Sequence, residues 1–199
     1  MRHICVFCGS SPGAGTEYLR AAQELGGTLA RRGITLVYGG ARVGLMGQAA
    51  RAAIQAGGQV VGVIPKSLVD MEVAETGITT LHVVGSMHER KALMAEISDG
   101  FIALPGGIGT IEEFFEILTW EQLGFHQKPC GLLNIQGYFD HLMAFLDGML
   151  EQEFIDTGHR KMVLENTTVD GLLDQFDHYT PPKSNKAAWV LEKTNNISR

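Results

Sequence analysis

The chain has 199 residues, 45% of them hydrophobic and 19% charged, with 25 glycines and a formal charge of -6. That length suits one domain with a core of its own, needing no disulfide or metal staples, and the apolar content excludes wholesale disorder. The negative balance opposes a protein that wraps nucleic-acid phosphate, and no apolar run reaches the roughly 18 to 20 residues of a membrane span.

Short β-branched runs alternate with longer helical patterns along the chain. His3–Cys8 is the first predicted strand, where a signal peptide would instead show a long apolar region. A helix follows over Glu17–Arg32, closed by Gly33. Ile34–Tyr38 is a strand, Leu45–Ala56 a helix and Val60–Ile64 a strand stopped by Pro65. Then come a strand over Ile78–Val84, a helix over Met87–Ser98 and a strand over Phe101–Leu104. Ile111–Leu123 is a helix, Gly131–Asn134 a strand, and Tyr138–Glu151 and Val169–Tyr179 are helices. This alternation predicts an α/β fold: a Rossmann-like, doubly wound, mostly parallel sheet with helices on both faces. The domain spans residues 1–180, and after Pro181-Pro182 a polar tail follows, with Trp189 as its one candidate for docking onto the body or a second subunit.

Nineteen of the glycines fall at or before Gly109. They concentrate in three loops: Gly9-Ser10-Ser11-Pro12-Gly13, Gly39-Gly40 through Gly47, and Pro105-Gly106-Gly107-Ile108-Gly109-Thr110. Each links a predicted strand to a helix N-terminus, where free N–H groups and the positive dipole end favour an anion. In parallel sheets such loops share the edge at which ligands bind. Neither phosphate fingerprint is present. There is no Gly-Lys pair for a Walker loop, and Gly13-Ala14-Gly15 lacks the third glycine of a dinucleotide motif, which opposes ATP hydrolysis and nicotinamide hydride transfer.

Charged residues flank the third loop. Thr110-Ile111-Glu112-Glu113 matches a capping box, a device worth about 1 kcal/mol, and Glu113 is equally placed to face an anion site. Ser86 and Glu89 match a second box. Arg90 and Lys91 behind it stand at the wrong end of a helix for cations, a conflict that a bound anion would relieve. His88 beside them suits packing or support of that pair better than a ligand or acid/base role. Cys5, Cys8 and Cys130 are an odd number of thiols, which suits a reduced, cytoplasmic protein. Cys5 and Cys8 would point to opposite faces of a strand, and no second pair of ligands has zinc spacing, so no metal is expected.

These segments, Cys5-Val6-Phe7-Cys8-Gly9-Ser10-Ser11, Leu36-Val37-Tyr38-Gly39-Gly40, Gly44-Leu45-Met46-Gly47, Met87-His88-x-Arg90-Lys91 and Pro105-Gly106-Gly107-x-Gly109-Thr110-x-x-Glu113, occur together and in order. Over about Ile4 to Leu150 the chain resembles the Lonely Guy family of cytokinin riboside 5′-monophosphate phosphoribohydrolases, long labelled lysine decarboxylase-like. Ala41 stands where that family often has a third glycine. The resemblance implies a homodimer or an assembly of dimers, no cofactor, and hydrolysis of the N-glycosidic bond of a nucleoside 5′-monophosphate, N6-modified AMP or AMP itself, to free base and ribose 5-phosphate. By position it makes Arg90 and Glu113 catalytic. Substrate contacts fall on Glu72, Arg90, Lys91, Gly106, Gly107, Ile108, Gly109, Thr110, Glu113 and Thr119, with Gly9, Ser10, Gly39, Gly40 and Met87 shaping the pocket. Glu75 competes with Glu72. Decarboxylation would need a pyridoxal phosphate lysine with an Asp or Arg partner for the ring nitrogen, and no such partner can be located. The alternative is a non-catalytic nucleotide or molybdenum-cofactor carrier, which needs the anion loop but no carboxylate beside the ribose. A purely structural protein would have no use for the loops or the misplaced cations.

Overall fold

The computed structural model describes residues 1–71, 74–182, 189 and 191. Its strands are β1 His3–Phe7, β2 Thr35–Tyr38, β3 Val60–Pro65, β4 Thr80–Val84, β5 Gly100–Ala103, β6 Cys130–Leu133 and β7 Val163–Asn166. Its helices are α1 Glu17–Arg31, α2 Gly44–Gln55, α3 Lys66–Val69, α4 Met87–Ile97, α5 Ile108–Gln122, α6 Asp140–Glu151, α7 Thr157–Lys161 and α8 Val169–Asp177, with a 3-10 turn at Ile135–Gly137. The seven strands form one sheet in the order β4-β3-β2-β1-β5-β6-β7, and each neighbouring pair is parallel. Cys5 of β1 lies opposite Val37 on one side and Phe101 on the other.

Side-chain alternation along the strands feeds two cores. Ile4, Val6, Leu36 and Ile102 pack against Leu25 and Leu29 of α1, Ala49 and Ala53 of α2, and Leu172 and Phe176 of α8. Cys5, Phe7, Val37 and Phe101 pack against Met94 of α4, Phe114 and Leu118 of α5, and Met143 and Leu146 of α6. Burying a Leu or Phe on this scale contributes about 1.5–3 kcal/mol, so both faces of the sheet are held strongly. Such double cover explains why the strands read as continuous apolar runs. It also separates the cysteines: Cys5 and Cys8 are buried free thiols in opposite cores, and burial pushes both well above an ordinary thiol pKa.

Several elements depart from expectation. Helix α5 begins at Ile108 with Gly107 as its N-cap, so Thr110 is the third helical residue and the predicted Thr110–Glu113 capping box does not form. At Ser86 the side chain accepts from Glu89 N at 3.1 Å, but the Glu89 carboxylate accepts from Gly85 N, one residue before the box would require. Helix α6 starts at Asp140, because Gln136 and Gly137 take positive φ values of 57° and 68° and break the chain direction first. Strand β7 and the short helices α3 and α7 have no periodic signal long enough to predict. Trp189 meets the His159 ring edge-on at a centroid distance of 6.0 Å. Among the described residues no helix is long and apolar enough to cross a membrane.

Candidate active site

The strand order reverses between β1 and β5, and a doubly wound sheet opens a crevice at that point. Two of the glycine loops bracket it. They are tied together directly, with Gly9 N–H donating to Pro105 O at 3.1 Å, and the second loop joins them through Leu45 N–H donating to Gly9 O at 3.0 Å. Gly106 permits the close approach: a Cβ there would lie 2.1 Å from Thr110 Oγ1 and 2.8 Å from Gly9 N.

A cleft of about 390 Å³ opens here, lined by Ser10, Gly39, Met87, Arg90, Gly107, Ile108, Gly109, Thr110 and Glu113. Across it, Arg90 Nη1 meets Glu113 Oε1 at 2.8 Å, with the two side chains only 9% and 12% exposed. Arg90 rises from the start of α4, and its Nε donates to Val63 O at 3.2 Å. Its other guanidinium nitrogen occupies the space left by Gly39, where a Cβ would stand 2.0 Å from Nη2. A planar fork with donors spread over three nitrogens suits this spread-out arrangement, which the single nitrogen of a lysine does not reproduce. Burial raises the Glu113 pKa, and Arg90 opposes that shift without cancelling it.

The first turn of α5 forms the cleft floor. Thr110 N–H closes onto Gly107 O at 3.1 Å, while the N–H groups of Ile108 and Gly109 open the helix, as they must at any helix start. Backbone donors, the positive end of a fifteen-residue helix and a buried Arg–Glu pair therefore converge on one volume. That combination can hold an anion and stabilise positive charge a few ångströms away.

The other expected contacts are placed differently. Lys91 does not line the cleft; it pairs with Glu112, which does, at 2.6 Å and with Glu116 at 3.0 Å. Burial works against its charge, but those carboxylates outweigh it and raise its pKa. Thr119 is exposed and donates to Phe115 O at 2.7 Å, further along α5. Gly40 is not a cleft residue; it takes a positive φ of 76° and accepts from Glu75 N. Glu75 pairs with Arg51 at 3.5 Å and lines a separate hollow beside α2. Glu72 lies outside the described residues. His88 is exposed rather than packed. Sequence reasoning missed Cys8, Ala41, Met46 and Leu68, which give the same cleft an apolar wall. Cys8 and Met46 sit inside the glycine-loop motifs and could have been found. Leu68 could not, since α3 carries no motif. Among the described residues no three His, Cys, Asp or Glu side chains gather as metal ligands.

A family model described as "Possible lysine decarboxylase" matches residues 46–176. The chain is 51% identical over 173 residues to the cytokinin riboside 5′-monophosphate phosphoribohydrolase of Rhodococcoides fascians, covering 86% of this chain and 87% of that protein. It is 45% identical over 193 residues to cytokinin riboside 5′-monophosphate phosphoribohydrolase LOG4 of Arabidopsis thaliana, covering 96% and 90%. Among solved structures, the molybdenum cofactor binding protein of Rippkaea orientalis is similar with a TM-score of 0.68 at 25% identity, over 89% of this chain and 96% of that one.

Proposed function

The chain belongs to the cytokinin riboside 5′-monophosphate phosphoribohydrolase family, and from that premise we propose that it hydrolyses the N-glycosidic bond of an adenosine 5′-monophosphate, N6-modified or plain. One molecule of water adds across the bond. The C1′–N9 bond breaks, the base leaves with a proton, and the water oxygen becomes the C1′ hydroxyl of ribose 5-phosphate.

The observation that carries the reading is the buried Arg90–Glu113 pair, 2.8 Å apart, beside the open first turn of α5. Cleavage of an N-ribosyl bond passes through a transition state with positive charge on the sugar. The α5 N-terminus takes the 5′-phosphate. That fixes the ribose so that the Glu113 carboxylate faces it, offsets the developing charge and accepts the proton of the attacking water or bonds the ring hydroxyls. Arg90 orients Glu113 and keeps it ionised against the burial that raises its pKa. Ala41, Met46, Leu68 and Met87 supply the apolar wall for the base.

Lysine decarboxylation fits this geometry poorly. A Schiff-base lysine must reach its neutral form to attack, and Lys91 is held protonated by Glu112 and Glu116. The carrier alternative is weaker, since cofactor carriage needs no buried carboxylate at the phosphate loop. Leu123 and Phe125 are 53% and 75% exposed at the end of α5, and a second copy covering them would make the protein a homodimer, with a sedimentation mass of two chains.

The decisive test is incubation with AMP and with N6-isopentenyladenosine 5′-monophosphate, followed by chromatography for free base and ribose 5-phosphate. Equal amounts of base and sugar phosphate from at least one of them are expected. Tight nucleotide binding with no base released would favour the carrier instead.

A further inference from the structure

Resting on the reading that the α5 N-terminus takes the 5′-phosphate, we propose that Tyr138 is a positioning residue for that phosphate, because its hydroxyl fixes the orientation of the Gly106–Gly107 peptide. Tyr138 Oη donates to Gly106 O at 2.6 Å, across 32 residues of sequence. In a trans peptide the carbonyl and the following N–H point in opposite directions. Drawing the Gly106 carbonyl toward Tyr138 therefore turns Gly107 N–H away from it, to join the donors that open α5.

This peptide needs an external hold. With glycine on both sides, no Cβ restricts its rotation. Its neighbour is already pinned, because Pro105 O accepts from Gly9 N–H at 3.1 Å. Tyr138 supplies the second hold, one residue on and from a different strand's loop.

The tyrosine is itself braced. Its ring stands edge-on to Tyr18, with centroids 5.9 Å apart, and to Phe139, with centroids 5.1 Å apart. Phe139 is buried, and its N–H donates to Asn134 Oδ1 at 2.8 Å. Immediately before Tyr138 the chain takes the left-handed conformation twice, at Gln136 (φ 57°) and Gly137 (φ 68°). A glutamine there costs energy and persists only where its surroundings impose it. The side chain so presented is 44% exposed, which is little burial for so constrained a turn. It borders a hollow of about 300 Å³ that shares Ser10 and Gly107 with the Arg90–Glu113 cleft.

The test is Tyr138→Phe, which keeps both ring contacts and removes only the hydroxyl, with Tyr18→Phe as the control on the same hollow. Affinity for ribose 5-phosphate is measured by calorimetry, and KM and kcat with a nucleoside 5′-monophosphate. Loss of this one hydrogen bond should weaken ribose 5-phosphate and raise KM about fivefold. Melting temperature should hold, and kcat should stay within about twofold, since only ground-state and transition-state phosphate binding change together. Tyr18→Phe should bind as wild type does. Unchanged ribose 5-phosphate affinity in Tyr138→Phe, an equal loss in Tyr18→Phe, or a wild-type protein that binds no ribose 5-phosphate would each overturn the proposal. A wild-type protein that binds ribose 5-phosphate yet releases no base fails the hydrolase reading alone, and the ratio of affinities still decides the role of Tyr138.

Discussion

Gly39 and Arg90 make the sharpest case at the scale of single residues. The guanidinium that steadies Glu113 occupies the volume a Cβ at Gly39 would take. Gly39→Ala should therefore displace Arg90 and cut kcat/KM by about 10- to 100-fold, the scale on which small misplacements act. Steady-state kinetics beside a thermal melt check this, and an unaltered kcat/KM would mean the guanidinium position is not critical. Arg90→Lys should also lose efficiency, because an ammonium lacks the planar fork that spans Val63 O, the space at Gly39 and the Glu113 carboxylate. Glu113 adds a pH signature. Its pKa stands above the ordinary 4.5 because burial outweighs the pull of Arg90. If the carboxylate is the working form, kcat/KM should fall on the acid side with a midpoint above pH 4.5. The residues draw attention in the sequence, Arg90 with Lys91 because they break the helix-dipole rule and Glu113 because it follows a glycine loop, while the pairing of Arg90 with Glu113 as catalytic candidates comes from the family resemblance. What relieves the conflict at Arg90 was not legible, because its carboxylate partner lies 23 residues away and only the fold brings it near.

Helix α5 shows how one element distributes these tasks. Its first turn lines the cleft, Glu113 turns to Arg90, Glu112 and Glu116 hold Lys91, and Glu121 closes the far end. The S/T-x-x-E pattern at Thr110 misleads because it specifies a spacing and not a starting point; the helix begins two residues before Thr110, and the glycine N-cap leaves Glu113 free to face inward. At the other end of α5, Glu121 is buried. It is 4% exposed and accepts from the Tyr179 hydroxyl, and its second oxygen has no hydrogen-bond partner among the described residues. Burial pushes its pKa up to about 7, against the opposing pull of the Tyr179 hydroxyl and the nearby Cys130 thiol. A folded pKa above the unfolded one means the fold prefers the protonated acid. This contribution is complete below about pH 4.5 and declines until the pH passes about 7. Glu121→Gln should remove that decline: its melting temperature should exceed wild type by several degrees at pH 8, and the gap should close at pH 5. Parallel pH dependences for the two proteins would contradict this. Strand β7 was illegible for a related reason. Val163–Asn166 is a short edge strand with only its first residue buried, so neither an apolar run nor an alternation announces it.

For the whole molecule, the order β4-β3-β2-β1-β5-β6-β7 decides which glycine loops become a site. The α/β class, the two covered faces and the shared loop edge follow from the alternation of short apolar runs with helical patterns. The pairing of β1 with β5 does not, because parallel strands joined by crossovers leave no local trace of their neighbours. That pairing sets Gly9 against Pro105 and brings α4 and α5 together over the crevice, so that Arg90 and Glu113 meet where the Gly106–Gly109 loop opens.

The most direct test of that arrangement compares wild type with Glu113→Gln on N6-isopentenyladenosine 5′-monophosphate, measuring base release together with ribose 5-phosphate affinity. Gln keeps an oxygen that can accept from Arg90 and loses only the charge. Turnover should fall by at least about 100-fold while ribose 5-phosphate binds as before and the melting temperature barely moves. A Gln variant that releases base at close to the wild-type rate would contradict the account.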